Sequence, residues 1–154
     1  MTTTSTDRIE QQIVLKARRS RVWRALTTAS EFSEWFGVRV DGAFTPGARI
    51  RGAITHPGYE HLTFEIVIDK VEPERLFSWR WHPHAIDTSY DYSKEPTTLV
   101  VFELEELPAG TLLKVVESGF DGVPAPRRLE AFRGNSEGWA EQMKRIERYV
   151  AEHP

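Results

Sequence analysis

The residues best equipped to bind something are a set of aromatic rings. Trp79 and Trp81, with Phe77, stand two apart in a stretch that reads as a strand, so their side chains share one face. Trp139 and Met143 recur one turn apart in a stretch of helical period and would face those rings from the other side. Phe102 points inward from a neighbouring strand pattern, and Trp35, Phe36, Phe64 and Phe120 are placed to close the ends. Rings and a thioether of this kind suit a flat or greasy small molecule, and buried indole N–H groups seek partners. Taken alone, five tryptophans and eight phenylalanines in 154 residues are more simply an aromatic-rich core.

The polar group that the patterning places among these rings is Glu117. Leu113, Val115 and Glu117 alternate, which turns the carboxylate inward. A buried carboxylate must be paired, hydrogen-bonded or protonated. It could orient a ligand or act as a general base, or it could simply bond an arginine or tryptophan N–H groups. No second catalytic partner is visible beside it. His82, His84 and Asp87 have the spacing of a metal-ligand set, but Pro83 interrupts them and the stretch reads as a solvated loop. No metal and no cofactor are expected. Tyr90 and Tyr92, with Asp87 and Asp91, read either as a lid over a pocket mouth or as an ordinary surface loop. Gly37 and Gly42 lack the spacing and the following lysine of a phosphate loop, and no Gly-x-Ser-x-Gly elbow occurs. With no cysteine for thiol chemistry, the sequence points away from NAD, ATP and cysteine-nucleophile enzymes.

Composition narrows the partners further. A net charge of −3 with acids and bases interspersed offers no basic stripe for nucleic acid. No apolar run is long enough to span a bilayer, so membrane insertion is not expected. Residues 1–7 lack the basic and apolar segments of a secretion signal. They read as a polar tail ahead of a single domain over 8–154, and the absence of cysteine fits a reducing cytoplasm. The expected state is a monomer or homodimer.

The elements that must position these residues follow from periodicity. Alternation from Ile9 to Ala17 predicts a first strand. Ser20 and Thr28 are placed to N-cap two short helices, the second with Glu31 at capping-box spacing and Gly37 at its end. Strands are then predicted at Val38–Val40, around Ile50–Ile54, and over Leu62–Val71, Leu76–Trp81, Thr97–Glu106 and Thr111–Ser118. Leu129, Phe132, Ser136, Trp139, Met143, Ile146 and Val150 form one apolar stripe of a helix over Arg127–Glu152. Gly134 and Gly138 inside it predict either a kink recapped by Asn135 or the close approach of another backbone. Consecutive strands joined by tight turns pair antiparallel. The fold class is therefore α+β, with a curved antiparallel sheet around a long C-terminal helix.

At the level of motifs the chain resembles the family named for the activator of the 90-kDa heat-shock protein ATPase. The resemblance is carried by Val22-Trp23-Arg24-Ala25-Leu26-Thr27 followed by Glu34-Trp35-Phe36-Gly37. Val71-Glu72-Pro73-Glu74-Arg75-Leu76 leading to Trp79 continues it, as do Phe102-Glu103-Leu104-Glu105, Glu117-Ser118-Gly119-Phe120 and Gly138-Trp139. It implies a START-like (SRPBCC) helix-grip fold with a hydrophobic cavity beneath the last helix. It does not imply one activity. The leading expectation is non-enzymatic binding of a small hydrophobic or aromatic molecule between sheet and helix. The alternatives are a cyclase or hydrolase acting on a polyketide-like substrate, and a protein-binding module like the co-chaperone.

Overall fold

A computed structural model describes residues 7–154. The expected polar tail lies outside the described residues except for Asp7. Its backbone carbonyl accepts hydrogen bonds from the Gly119 and Phe120 amides, and its carboxylate accepts one from Asp121. The elements in chain order are β1 (Arg8–Leu15), α1 (Arg19–Thr27), α2 (Ala29–Phe36), β2 (Val38–Arg39), β3 (Arg49–Ile54) and β4 (Thr63–Glu72). They continue with β5 (Leu76–Trp81), β6 (Thr98–Leu107), β7 (Gly110–Ser118) and α3 (Ala125–Glu152). The strands form one seven-stranded sheet, ordered β1-β7-β6-β5-β4-β3-β2. Every pairing is antiparallel. The helices α1 and α2 carry the chain from one edge of the sheet to the other. No helix among the described residues is long and apolar enough to cross a membrane.

The period-two pattern decides which side chains face α3. Phe64, Ile66 and Ile68 of β4, Phe77 and Trp79 of β5, Val100, Phe102 and Leu104 of β6, and Leu113, Val115 and Glu117 of β7 are all buried. In β4 the register slips between Ile68 and Lys70. The slip is stitched by Ser78, whose hydroxyl donates to Asp69 (2.9 Å) and accepts from the Lys70 amide (3.1 Å). A bulge of this kind bends its strand and adds twist, which helps the sheet curl.

The helix ends are built differently from the expectation. Arg18, not Ser20, is the N-cap of α1, and Thr28 caps α2 without a side-chain bond. Glu31 makes no capping box because stronger partners claim it. Arg21 and Arg24 lie 2.9 and 3.0 Å from its carboxylate, and the Tyr149 hydroxyl donates to it at 2.9 Å. Gly37 ends α2 in the left-handed conformation expected of it (φ 88°).

The last helix, α3, runs unbroken through both glycines, and Asn135 does not recap it. Gly134 exists for close approach, though of a side chain rather than a backbone. A Cβ there would stand 2.7 Å from Nδ1 of His84. Gly138 has nothing within 4 Å of where its Cβ would be. Along the stripe Trp139, Met143, Ile146 and Val150 are buried, but Leu129 is 57 % exposed and Ala131 takes the inward place.

Candidate functional site

Glu117 organises the site. Its carboxylate has no exposure, yet among the described residues no cation pairs with it. Four neutral donors surround it. Trp81 Nε1 (2.7 Å) and Thr98 Oγ1 (2.6 Å) donate to one oxygen, and Trp139 Nε1 (2.8 Å) donates to the other. Asn135 Nδ2 reaches both, at 2.9 and 3.2 Å. These donors arrive from β5, β6 and α3, so one side chain on β7 ties the helix to the sheet. Such a network is stable only when every member is satisfied. The indoles of Trp81 and Trp139 are thereby fixed 5.9 Å apart, inclined by 35°.

The two indoles form the inner wall of a cavity of about 530 Å³. Phe36 and Gly37 at the end of α2 contribute to it, as do Val38, Ile54, Leu62 and Phe64 of the strands and their flanks. Gly134, Asn135, Gly138, Gln142 and Arg145 line it from α3. Tyr59 and Ile86, both more than 40 % exposed, line its outer part.

The sequence-derived set divides on this geometry. Phe36, Phe64, Trp81 and Trp139 line the cavity. Trp35, Phe77, Trp79, Phe102, Phe120 and Met143 are buried in the packed interior, outside the lining. Trp79 is enclosed by Phe32, Phe77 and Phe102 at centroid distances of 5.8, 5.7 and 5.2 Å. Phe120 meets Phe132 edge-on at 5.3 Å, and the Trp35 indole donates to the Ala25 carbonyl at 2.7 Å. Glu117 sits behind the wall, holding it in place. Thr98, Gln142, Arg145 and His56 were not singled out by sequence, and Asn135 was named only as a helix recap. Asn135 and Trp139 lie one turn apart on α3, a spacing that could have linked them to one partner.

The stretch from His82 to Pro96 is held onto α3. Arg127 donates from Nε (2.9 Å) and Nη2 (2.6 Å) to Glu95, and from Nη1 to the Pro83 carbonyl (2.8 Å). Its guanidinium also lies 4.7 Å from the Tyr92 ring centre. These bonds from Arg127 hold the Glu95 carboxyl below its usual range, and the Tyr90 hydroxyl that donates to Glu95 is raised above its own. His82, His84 and Tyr92 line the cavity, whereas Asp87 turns to the Ser89 amide and hydroxyl. The His82 ring bonds the Glu95 carbonyl (3.0 Å), and His84 lies 3.6 Å from Glu130. Their side chains therefore do not converge as a metal-ligand set would. Among the described residues no group of three or more His, Asp or Glu could hold a metal ion.

A curved antiparallel sheet gripping one long helix, with a cavity under that helix, is the helix-grip architecture. The family model described as activator of Hsp90 ATPase homolog 1-like protein matches residues 16–151. The chain belongs to that family. No curated protein matches it significantly. Its fold, shared with START-like (SRPBCC) proteins, recurs in solved structures of low identity. Protein MLL2253 of Mesorhizobium loti is 22 % identical with a TM-score of 0.75, over 96 % of this chain and 98 % of that one. The Aha1 dimer of Colwellia psychrerythraea gives 19 % and 0.67, over 91 % and 92 %. DynU16, from the dynemicin biosynthetic locus, gives 24 % and 0.72 over 94 % of this chain but only 47 % of its own length. At these identities the likeness to this activator-homologue family member is one of fold.

Proposed function

We propose that this chain binds a small, planar, largely apolar molecule in the cavity between the sheet and α3, without transforming it. The observation that carries this reading is the inner wall of Trp81 and Trp139, held open by their shared bonds to Glu117. A volume of about 530 Å³ lies within the span of small-molecule pockets, roughly 300–1,000 Å³. Both oxygens of Glu117 are committed to structural donors, which argues for a binding role over proton transfer.

A second reading is a protein-binding module, favoured by membership of a family named for a chaperone activator. The two separate in one titration series. Saturable quenching of tryptophan fluorescence by planar apolar molecules, abolished by Gly138→Leu, supports the cavity. A chemically varied library that gives no saturable quenching favours the protein partner. Product formed in the same mixtures would favour the cyclase or hydrolase reading.

A further inference from the structure

We infer that the molecule held in the cavity is an aromatic acid, its anionic group on Arg145 and its ring system against Trp81 and Trp139. This rests on the cavity reading above and adds the ligand's charge.

Arg145 lines the cavity from α3. Its hydrogen-bond partner is Nδ1 of His56, at 3.0 Å. A guanidinium can only donate, so in this contact Nδ1 accepts. Among the described residues Arg145 makes no ion pair, in contrast to Arg21, Arg24, Arg49, Arg51 and Arg127.

Three carboxylates, Glu65, Glu137 and Glu141, line the same cavity, and none lies within ion-pair distance of Arg145. Glu65, on the same cavity, is held by Arg49 at 2.8 Å and Arg51 at 3.5 Å. Glu141, one turn before Arg145, lies 3.8 Å from Lys144. Glu137 is eight residues away on α3, about 12 Å along the axis at roughly 1.5 Å per residue. The end of α2 offers only partial negative charge. Arg145 Nη1 lies 3.3 Å from where a Cβ of Gly37 would be, and Gln142 caps the Phe36 carbonyl.

A cavity-lining guanidinium without an ion pair can take a planar anion on two parallel N–H bonds. Trp139 and Arg145 are six residues apart, about 9 Å along the helix at roughly 1.5 Å per residue. Both side chains line the one cavity, so a fused two-ring acid placed there can be tested against both. Charge-assisted bonds of this kind correspond to roughly tenfold or more in affinity.

The test is isothermal titration of the full chain with 2-naphthoate and with the neutral 2-naphthylmethanol. The wild type should prefer the acid by about tenfold or more. Arg145→Met should lose that preference, the acid-to-alcohol affinity ratio falling to about one, and Arg145→Lys should recover part of it. The advantage of the acid should also shrink as salt is raised. That salt series on the wild type decides the matter if Arg145→Met folds poorly. An acid bound no better than the alcohol, a preference that survives in Arg145→Met, or one indifferent to salt overturns the inference and leaves the cavity reading standing. Binding of neither probe overturns both.

Discussion

Trp139 on the terminal helix donates its indole N–H to Glu117 on the last strand at 2.8 Å, and neither residue is more than 2 % exposed. The bond makes a buried carboxylate the link between the gripping sheet and the gripped helix. Glu117→Gln should therefore be costly despite its similar shape. It sets an NH₂ donor among four donors, and each buried group left unpaired costs about 1–3 kcal/mol. The expected loss is about 2–4 kcal/mol, and Glu117→Ala should lose more. Urea unfolding measures it, as a lower midpoint at unchanged slope. A loss under about 1 kcal/mol would show that the network is not a structural tie.

The two glycines of α3 should respond in opposite directions. Gly138→Ala meets open space and gains helix propensity, so it should raise stability by up to about 1 kcal/mol. Gly134→Ala gains the same propensity but drives its Cβ into the His84 ring, which sits on a backbone of φ 53°. It should come out destabilised, or displace the stretch that carries His84. Paired thermal melts, with amide exchange along residues 82–96, distinguish the two.

Trp79 and Trp81 stand two apart on one strand yet should behave differently. Trp79 is wholly enclosed, and Trp79→Ala should cost about 3–5 kcal/mol of folding stability. Trp81 lines the cavity, so Trp81→Ala should cost less folding stability and weaken the binding of planar probes more. Urea midpoints and titrations on both variants check this, and equal stability losses would contradict the placement.

The tie between Glu95 and Arg127 should make residues 82–96 sensitive to acid. The bonds from Arg127 lower the Glu95 carboxyl in the folded state, with smaller aid from the Tyr90 hydroxyl and the charge of His82. A depressed carboxyl contributes stability that is whole above its unfolded value and is lost as pH falls through the folded one. Amide protection in 82–96 should therefore drop in acid, below the ordinary glutamate range, and Glu95→Gln should remove that pH step. A step that persists in Glu95→Gln would place its origin elsewhere.

The sheet and α3 were legible because burial imposes a period on sequence, two for Phe77, Trp79 and Trp81 and about 3.6 for Trp139, Met143 and Ile146. The same period put Glu117 inward. It could not show which inward rings meet one another and which meet open space. Phe77 and Phe102 are paired across β5 and β6, with Trp79 two residues on from Phe77 on the same face, so the three pack through a strand register that no local pattern carries. Arg127 and Arg145 read as polar residues of a helix, since their roles depend on what lies opposite them. The capping-box spacing of Thr28 and Glu31 misled because Arg21, Arg24 and Tyr149 compete for the same carboxylate.

The central claim is that a small molecule lies against Trp81 and Trp139. Its most direct test is the set of five tryptophan indole N–H signals in a ¹⁵N–¹H spectrum, followed while 2-naphthoate is added. The account predicts saturable shifts of the Trp81 and Trp139 signals. Trp23, packed on Phe77, and Trp35, bonded to the Ala25 carbonyl, should stay in place. Five unmoved signals, or a largest shift at Trp23, would contradict it.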